Sequence, residues 1–181
     1  MLVITVPETQ FYDNDKEEFV YVKETTLRLE HSLIAISKWE SKTHIRFYSK
    51  THEKTTSELL FYIKCMTLDQ NVDNSVYLAI ASNYEIIQTI REYMENPMTA
   101  TTFPSDNNKS RSSEELSSET IYYSMFSYNI PIETQKWHIN RLLTLIRVCN
   151  EKNKDPKDKK MPSKKEMLAN RQKLNAARRA K

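Results

Sequence analysis

Four histidines, His31, His44, His52 and His138, and two cysteines, Cys65 and Cys149, are the side chains of this 181-residue chain best suited to ligate a metal or act as a nucleophile. They are scattered. No two histidines stand at i, i+4, and neither cysteine has a second Cys or a His at ligand spacing, so the pattern assembles no metal site. No Ser, His and Asp set is specified by spacing either. The many Asp and Glu residues fall on helical patterns whose ordinary reading is a solvated face rather than an acid–base pair. The chain therefore reads as non-enzymatic, with no catalytic residue, metal or cofactor. Cys65 and Cys149 both lie on apolar helical patterns and read as reduced core thiols, a disulfide between them being the alternative.

Composition adds a further exclusion. The chain has no glycine, where an average protein of this length carries roughly a dozen. Gly-rich phosphate loops, dinucleotide fingerprints and nucleophile elbows need backbone without a Cβ or with φ > 0, and none can be built here in its usual form. Turns must use Asn, Asp, Ser and Pro, as in Asp13-Asn14-Asp15 and Asp73-Asn74. The opening residues lack a basic segment followed by an apolar run, so no signal peptide is expected, and no apolar run reaches the roughly 20 residues that span a bilayer. The net charge of +3 hides an asymmetry: Lys152–Lys181 carries 12 Lys+Arg against 3 Asp+Glu, leaving an acidic body with 15 and 21.

Residues suited to binding are easier to find. Tyr122, Tyr123 and Tyr128 with Met125 and Phe126 form an aromatic-rich helical pattern, and aromatics and Met dominate interface energetics. Tyr122, Met125 and Phe126 read as core; Tyr123 points elsewhere and is a candidate partner contact. Trp137 and Arg141, one helical turn apart, are spaced to stack. Trp137 is either a core or hairpin-contact residue or, with Arg141 and Arg147, part of a partner-binding face. In the basic tail, Lys159, Lys160, Lys164, Lys165, Arg171, Arg178 and Arg179 are candidate contacts to an anionic partner. That tail has no interleaved aromatics to stack on bases, so nucleic acid is the less favoured of its readings.

The elements that must position these residues follow from periodicity. Leu2–Val6 and Glu18–Val22 read as two strands able to pair as a hairpin with a long loop. Leu29, Leu33 and Ile36 predict a helix from about Leu27 or Glu30 to Lys42. Thr55 to Glu58 opens the next helix, and residues 74–95 hold a further helical pattern closed by Pro97. Residues 104–113 contain no apolar side chain and read as a mobile loop. Ser112 with Glu115, or Ser118, then starts a helix to about Asn129. A last helix is expected to begin at about Pro131, with Ile139, Leu142, Leu143 and Ile146 as its apolar stripe, and to meet the preceding helix as a hairpin over 114–153. The fold class is α+β and mainly α-helical: a short N-terminal β-hairpin packed on a helical bundle over residues 1–153, then a basic, helical or disordered tail over 154–181.

The segments LEHSLIAISKWESK (29–42), NPMTATTF (96–103), SETIYYSMFSYNIPIETQKWHINRLLTLIRVCNEKN (118–153) and KKMPSKKEMLANRQKLNAARR (159–179) resemble a family of small proteins encoded in the tail gene cluster of long-tailed bacteriophages, the tail assembly chaperones. The resemblance covers most of the chain in the same order and is most specific over KWHINRLLTLIRVCN. It implies a non-catalytic protein of the host bacterial cytoplasm that binds the tape measure protein and promotes tail-tube assembly, with the tail-tube protein and a second copy of itself as further partners and no membrane. Two rival readings are a structural component of the phage particle and a nucleic-acid-binding accessory protein acting through its basic tail. The family supplies no motif-level binding residues.

Overall fold

The computed structural model describes residues 1–13, 17–103, 116–153 and 168. The expected loop at 104–113, the Ser112–Glu115 cap and the candidate tail contacts Lys159, Lys160, Lys164, Lys165, Arg171, Arg178 and Arg179 lie outside the described residues. Packing divides the chain into Met1–Arg147 and Val148–Lys181. Of the second unit the described residues are 148–153, which are helical, and 168.

The N-terminal strands form one long hairpin rather than the pair expected from their sequence. β1 (Leu2–Val6) pairs antiparallel with β4 (Thr25–Leu29), and β2 (Thr9–Asp13) with β3 (Glu18–Val22). Every partnered pair in both ladders, from Leu2 and Leu29 to Asp13 and Glu18, sums to 31, so one register runs through both. The ladder breaks at Pro7-Glu8, where Pro7 has no N–H to donate. Glu18–Val22 thus pairs with its near neighbour β2, the shorter loop closure, and Leu2–Val6 with a strand that helical spacing had hidden. Leu27 and Leu29, 1% and 0% exposed, alternate with exposed Thr26 and Arg28. Leu29 to Leu33 and Ile36 is a valid helical spacing that spans the junction of a strand and a helix.

α1 (Leu33–Thr43) begins at Ser32, whose side chain accepts from the Ala35 N–H, and ends at His44 in the left-handed region, φ 57°. Glu17, Asn71, Met98 and Asn129 also have positive φ; a chain without glycine must place other side chains where turns demand that conformation. α2 (Thr56–Met66) starts at Thr55 with the reciprocal Thr55–Glu58 capping box that its sequence announces. The 74–95 pattern is two helices. Asn83 ends α3 (Asn74–Ser82) and caps α4 (Tyr84–Glu95) by accepting from the Ile86 N–H. α5 (Ser118–Ser127) is capped by Ser117, one residue before the Ser118 start considered from sequence, with Thr120 closing the box.

The helix expected from Pro131 is also broken. Ile132–Lys136 is a 3-10 turn after Pro131, and α6 (Ile139–Asn153) begins only after Trp137-His138. The Ile139 N–H donates to the His31 carbonyl at 2.7 Å, and this tertiary bond takes the donor a continuous helix would have kept. Ile139 and Leu142 are fully buried, whereas Leu143 and Ile146 are half-buried. α5 packs on α1 with Ile121 and Met125 buried, and Phe126, assigned to the core from its sequence, is 64% exposed. Successive residues turn about 100° around a helix, which carries Phe126 off the edge defined by Met125. Cys65 and Cys149 are free, half-buried thiols, and burial pushes that of Cys65 up to about 11. No helix among the described residues is long and apolar enough to cross a membrane.

Candidate functional site

The aromatic and basic side chains singled out for binding are held in different ways. Tyr123 is 74% exposed and Phe126 64%; at i and i+3 they share the outer face of α5, whose inner face carries buried Ile121 and Met125. Tyr122 does not join them, because its hydroxyl donates to Gln135 Oε1 at 2.9 Å and ties α5 to the 3-10 turn. Trp137, half-buried, closes that turn, and the Arg141 guanidinium lies 4.2 Å from its ring centre. The stacking expected from their spacing therefore forms, although the pair straddles a helix start instead of lying within one helix. Arg147 reaches Phe103, also at 4.2 Å. Each guanidinium lies over an aromatic ring while its residue stays exposed.

α5 is fixed by a buried carboxylate. Glu40, 8% exposed near the end of α1, accepts from the Phe47 N–H at 2.7 Å and from the Ser118 N–H at 2.8 Å. One side chain thus satisfies an orphan donor of the α5 first turn and holds the loop after α1. Nothing in the spacing of residues 40, 47 and 118 announces this.

The densest cluster of titratable groups is interior and was missed from sequence. His31 and His138, 3% and 6% exposed, meet edge to face with ring centres 5.1 Å apart. The Tyr62 hydroxyl bonds His31 Nδ1. His138 Nε2 donates to the Tyr93 carbonyl at 3.0 Å, and its Nδ1 accepts from the Asn140 N–H at 3.3 Å, which defines the neutral tautomer. The Tyr93 hydroxyl donates to Glu30 at 2.6 Å. Burial, then neighbouring His138 and Lys54, hold His31 at about 3, and burial also lowers His138. Tyr62 is raised by burial above all, so its hydroxyl keeps its proton and serves as donor. The cluster joins the end of the hairpin, α2, α4 and the start of α6 as a locked joint of uncharged imidazoles and phenols, closed by the Glu30 carboxylate, which also pairs with the N-terminal ammonium at 2.8 Å. Asn140 completes it by donating to the Met94 and Asn96 carbonyls at 2.9 and 2.8 Å, capping α4 from the side.

Tyr84, 76% exposed, stands at the start of α4, and a further group of exposed aromatics is on the outer half of the hairpin. Tyr12, Phe19 and Tyr21 are 49%, 68% and 54% exposed. Tyr12 and Phe19 stand opposite each other in the ladder with ring centres 5.2 Å apart. Among the described residues no group of three or more His, Cys, Asp and Glu is arranged to hold a metal ion. Comparison with protein-family models, with characterised proteins and with solved structures finds no match to the chain.

Proposed function

We propose that this protein is a non-enzymatic tail assembly chaperone of a long-tailed bacteriophage, which covers apolar helical stretches of the tape measure protein while tail-tube subunits assemble around it. The observation that carries the reading is the outer face of α5, where Tyr123 and Phe126 stand in solvent on a helix anchored at its first turn by Glu40. Rigid exposed aromatics suit the capture of an amphipathic helix, because they bury large area at little cost in side-chain entropy. The sequence resemblance supplies the identity of the client, a long chain whose apolar stripes aggregate when bare. Trp137 with Arg141, and Arg147 on Phe103, are further candidate contacts as aromatic–cation pairs.

Co-expression with the tape measure protein is the direct test. The expected result is that the client becomes recoverable in complex with this chain, and that Tyr123→Ala with Phe126→Ala lowers recovery at least about tenfold, the loss of two interface anchors, while the circular dichroism spectrum stays unchanged. A client equally insoluble with and without the chain ends the proposal. Mass spectrometry of purified particles separates a chaperone, absent from them, from a retained structural component.

A further inference from the structure

The two halves of the hairpin are covered differently. The edge of β4 is closed by the segment after α2, where the Leu68 N–H donates to the Arg28 carbonyl at 2.8 Å and the Glu30 N–H to the Met66 carbonyl at 2.9 Å. In the outer half α3 packs on β3, and buried Val22 with half-buried Phe11 and Val20 takes that side. The opposite side faces solvent. Tyr12 stands across the ladder from Phe19, and Gln10 from Tyr21, so alternation puts these four on one face. All four are exposed, and three of them are aromatic rings.

Charge selects what that face receives. Residues 8–24 carry six acidic side chains, Glu8, Asp13, Asp15, Glu17, Glu18 and Glu24, against Lys16 and Lys23, a net charge of −4 that makes up most of the acidic surplus of the body. Glu8, Glu17, Glu18 and Glu24 are exposed. The hydrogen bond from the Tyr21 hydroxyl to Glu8 raises that phenol above its ordinary value and ties a carboxylate to the aromatic face. Screening sets in over about 8 Å at physiological salt, so carboxylates on either side of a two-stranded ribbon act on its rings. We infer that the aromatic face of the outer hairpin binds an arginine- and lysine-rich segment of a partner polypeptide, whose cations lie over Tyr12, Phe19 and Tyr21 while the neighbouring carboxylates attract them. A ring beside a carboxylate draws a guanidinium or ammonium both by its quadrupole and by full charge. The chain makes this contact with its own side chains elsewhere, with Arg141 4.2 Å from the Trp137 ring and Lys64 5.2 Å from that of Tyr77. The same field repels nucleic-acid phosphates and anionic membrane surfaces, and an uncharged apolar helix gains nothing from it. The site is separate from the α5 face, and its occupancy does not depend on a tape measure client.

Fluorescence anisotropy of a labelled nona-arginine peptide titrated with the full chain tests this. Binding that weakens as salt rises is expected, and a peptide with neutral citrulline at every arginine should not bind. Phe19→Thr with Tyr21→Thr keeps the charge and the β-propensity and should weaken binding at least about fivefold, the loss of two cation–π contacts. Phe19→Trp with Tyr21→Trp, the better ring for a cation, should hold or strengthen it. Glu17→Gln with Glu18→Gln should weaken it and flatten its salt dependence, whereas Glu92→Gln with Glu95→Gln, exposed on α4, should leave it within about twofold. Tyr123→Ala with Phe126→Ala should leave it unchanged, so the two faces hold or fail separately. All variants should keep the parent circular dichroism spectrum. No binding at low salt, binding indifferent to the threonine pair, or an equal loss from the α4 pair overturns the inference. So does an oligonucleotide or an anionic vesicle whose binding falls with the threonine pair.

Discussion

The inner and outer halves of the N-terminal hairpin share one register and differ in nearly everything else. In the inner half, Ile4, Val6, Leu27 and Leu29 are buried, β1 packs on α3 and α4, and the free edge of β4 is strapped by Thr67–Asp69. In the outer half Tyr12, Phe19 and Tyr21 are exposed, while Val22 is buried where α3 meets β3. A two-stranded hairpin is marginal by itself. The inner half is stabilised by α3 and α4 beneath it, and the outer half is held at β3 by α3 while its aromatic face stays exposed. The same division recurs in α5, with Ile121 and Met125 inward and Tyr123 and Phe126 outward.

The comparison can be broken most sharply at Leu29. Leu29→Ala removes a fully buried side chain from the inner ladder and should cost about 3 kcal/mol in urea unfolding; a loss under about 1 kcal/mol would mean that the inner half is not the stabilising one. Acid is the next largest perturbation. His31 sits at about 3 in the folded protein against an unfolded value near 6.5, so the folded state binds fewer protons in this window. Its contribution is complete above about pH 6.5 and is lost as pH falls toward 3. At pH 5 the loss amounts to about 2 kcal/mol, to which His138, also lowered, adds in the same direction. Urea midpoints flat above pH 7 and declining below 6.5 are expected, and midpoints unchanged down to pH 5 would show that the imidazoles are not sealed. The smallest effect belongs to the outer half: Phe19→Ser should move unfolding stability by less than about 0.5 kcal/mol. A large loss there would erase the distinction between the halves.

Much of the helical skeleton was legible because its signals are local. Thr55 with Glu58 announces a capping box three residues apart, and the chain builds it. Thr25–Leu29 was misread because Leu29, Leu33 and Ile36 fit a helix as well as they fit a strand followed by one; short apolar runs do not separate the two periods. The Pro131 helix was extended too far because the interruption at Trp137-His138 comes from the His31 carbonyl, more than a hundred residues upstream. Among candidate site residues, the Trp137–Arg141 stack was legible as a one-turn spacing and Tyr123 as a residue off the core edge. Phe126 was not, since one position around the helix decides its exposure.

Sequence alone determined the mixed, mainly helical class, the exclusion of glycine-dependent loops, the separation of an acidic body from a basic end, and the Thr55 start of α2, because each depends on composition or on residues within a turn of one another. Tertiary structure alone decided the joining of Glu30, His31, Tyr62, Tyr93 and His138, the bridging by Glu40, and the strapping of the β4 edge by the segment after α2. Those outcomes rest on contacts between residues tens of positions apart, and a buried polar group or an unpaired strand edge acquires its meaning only from what the rest of the chain brings, or fails to bring, against it.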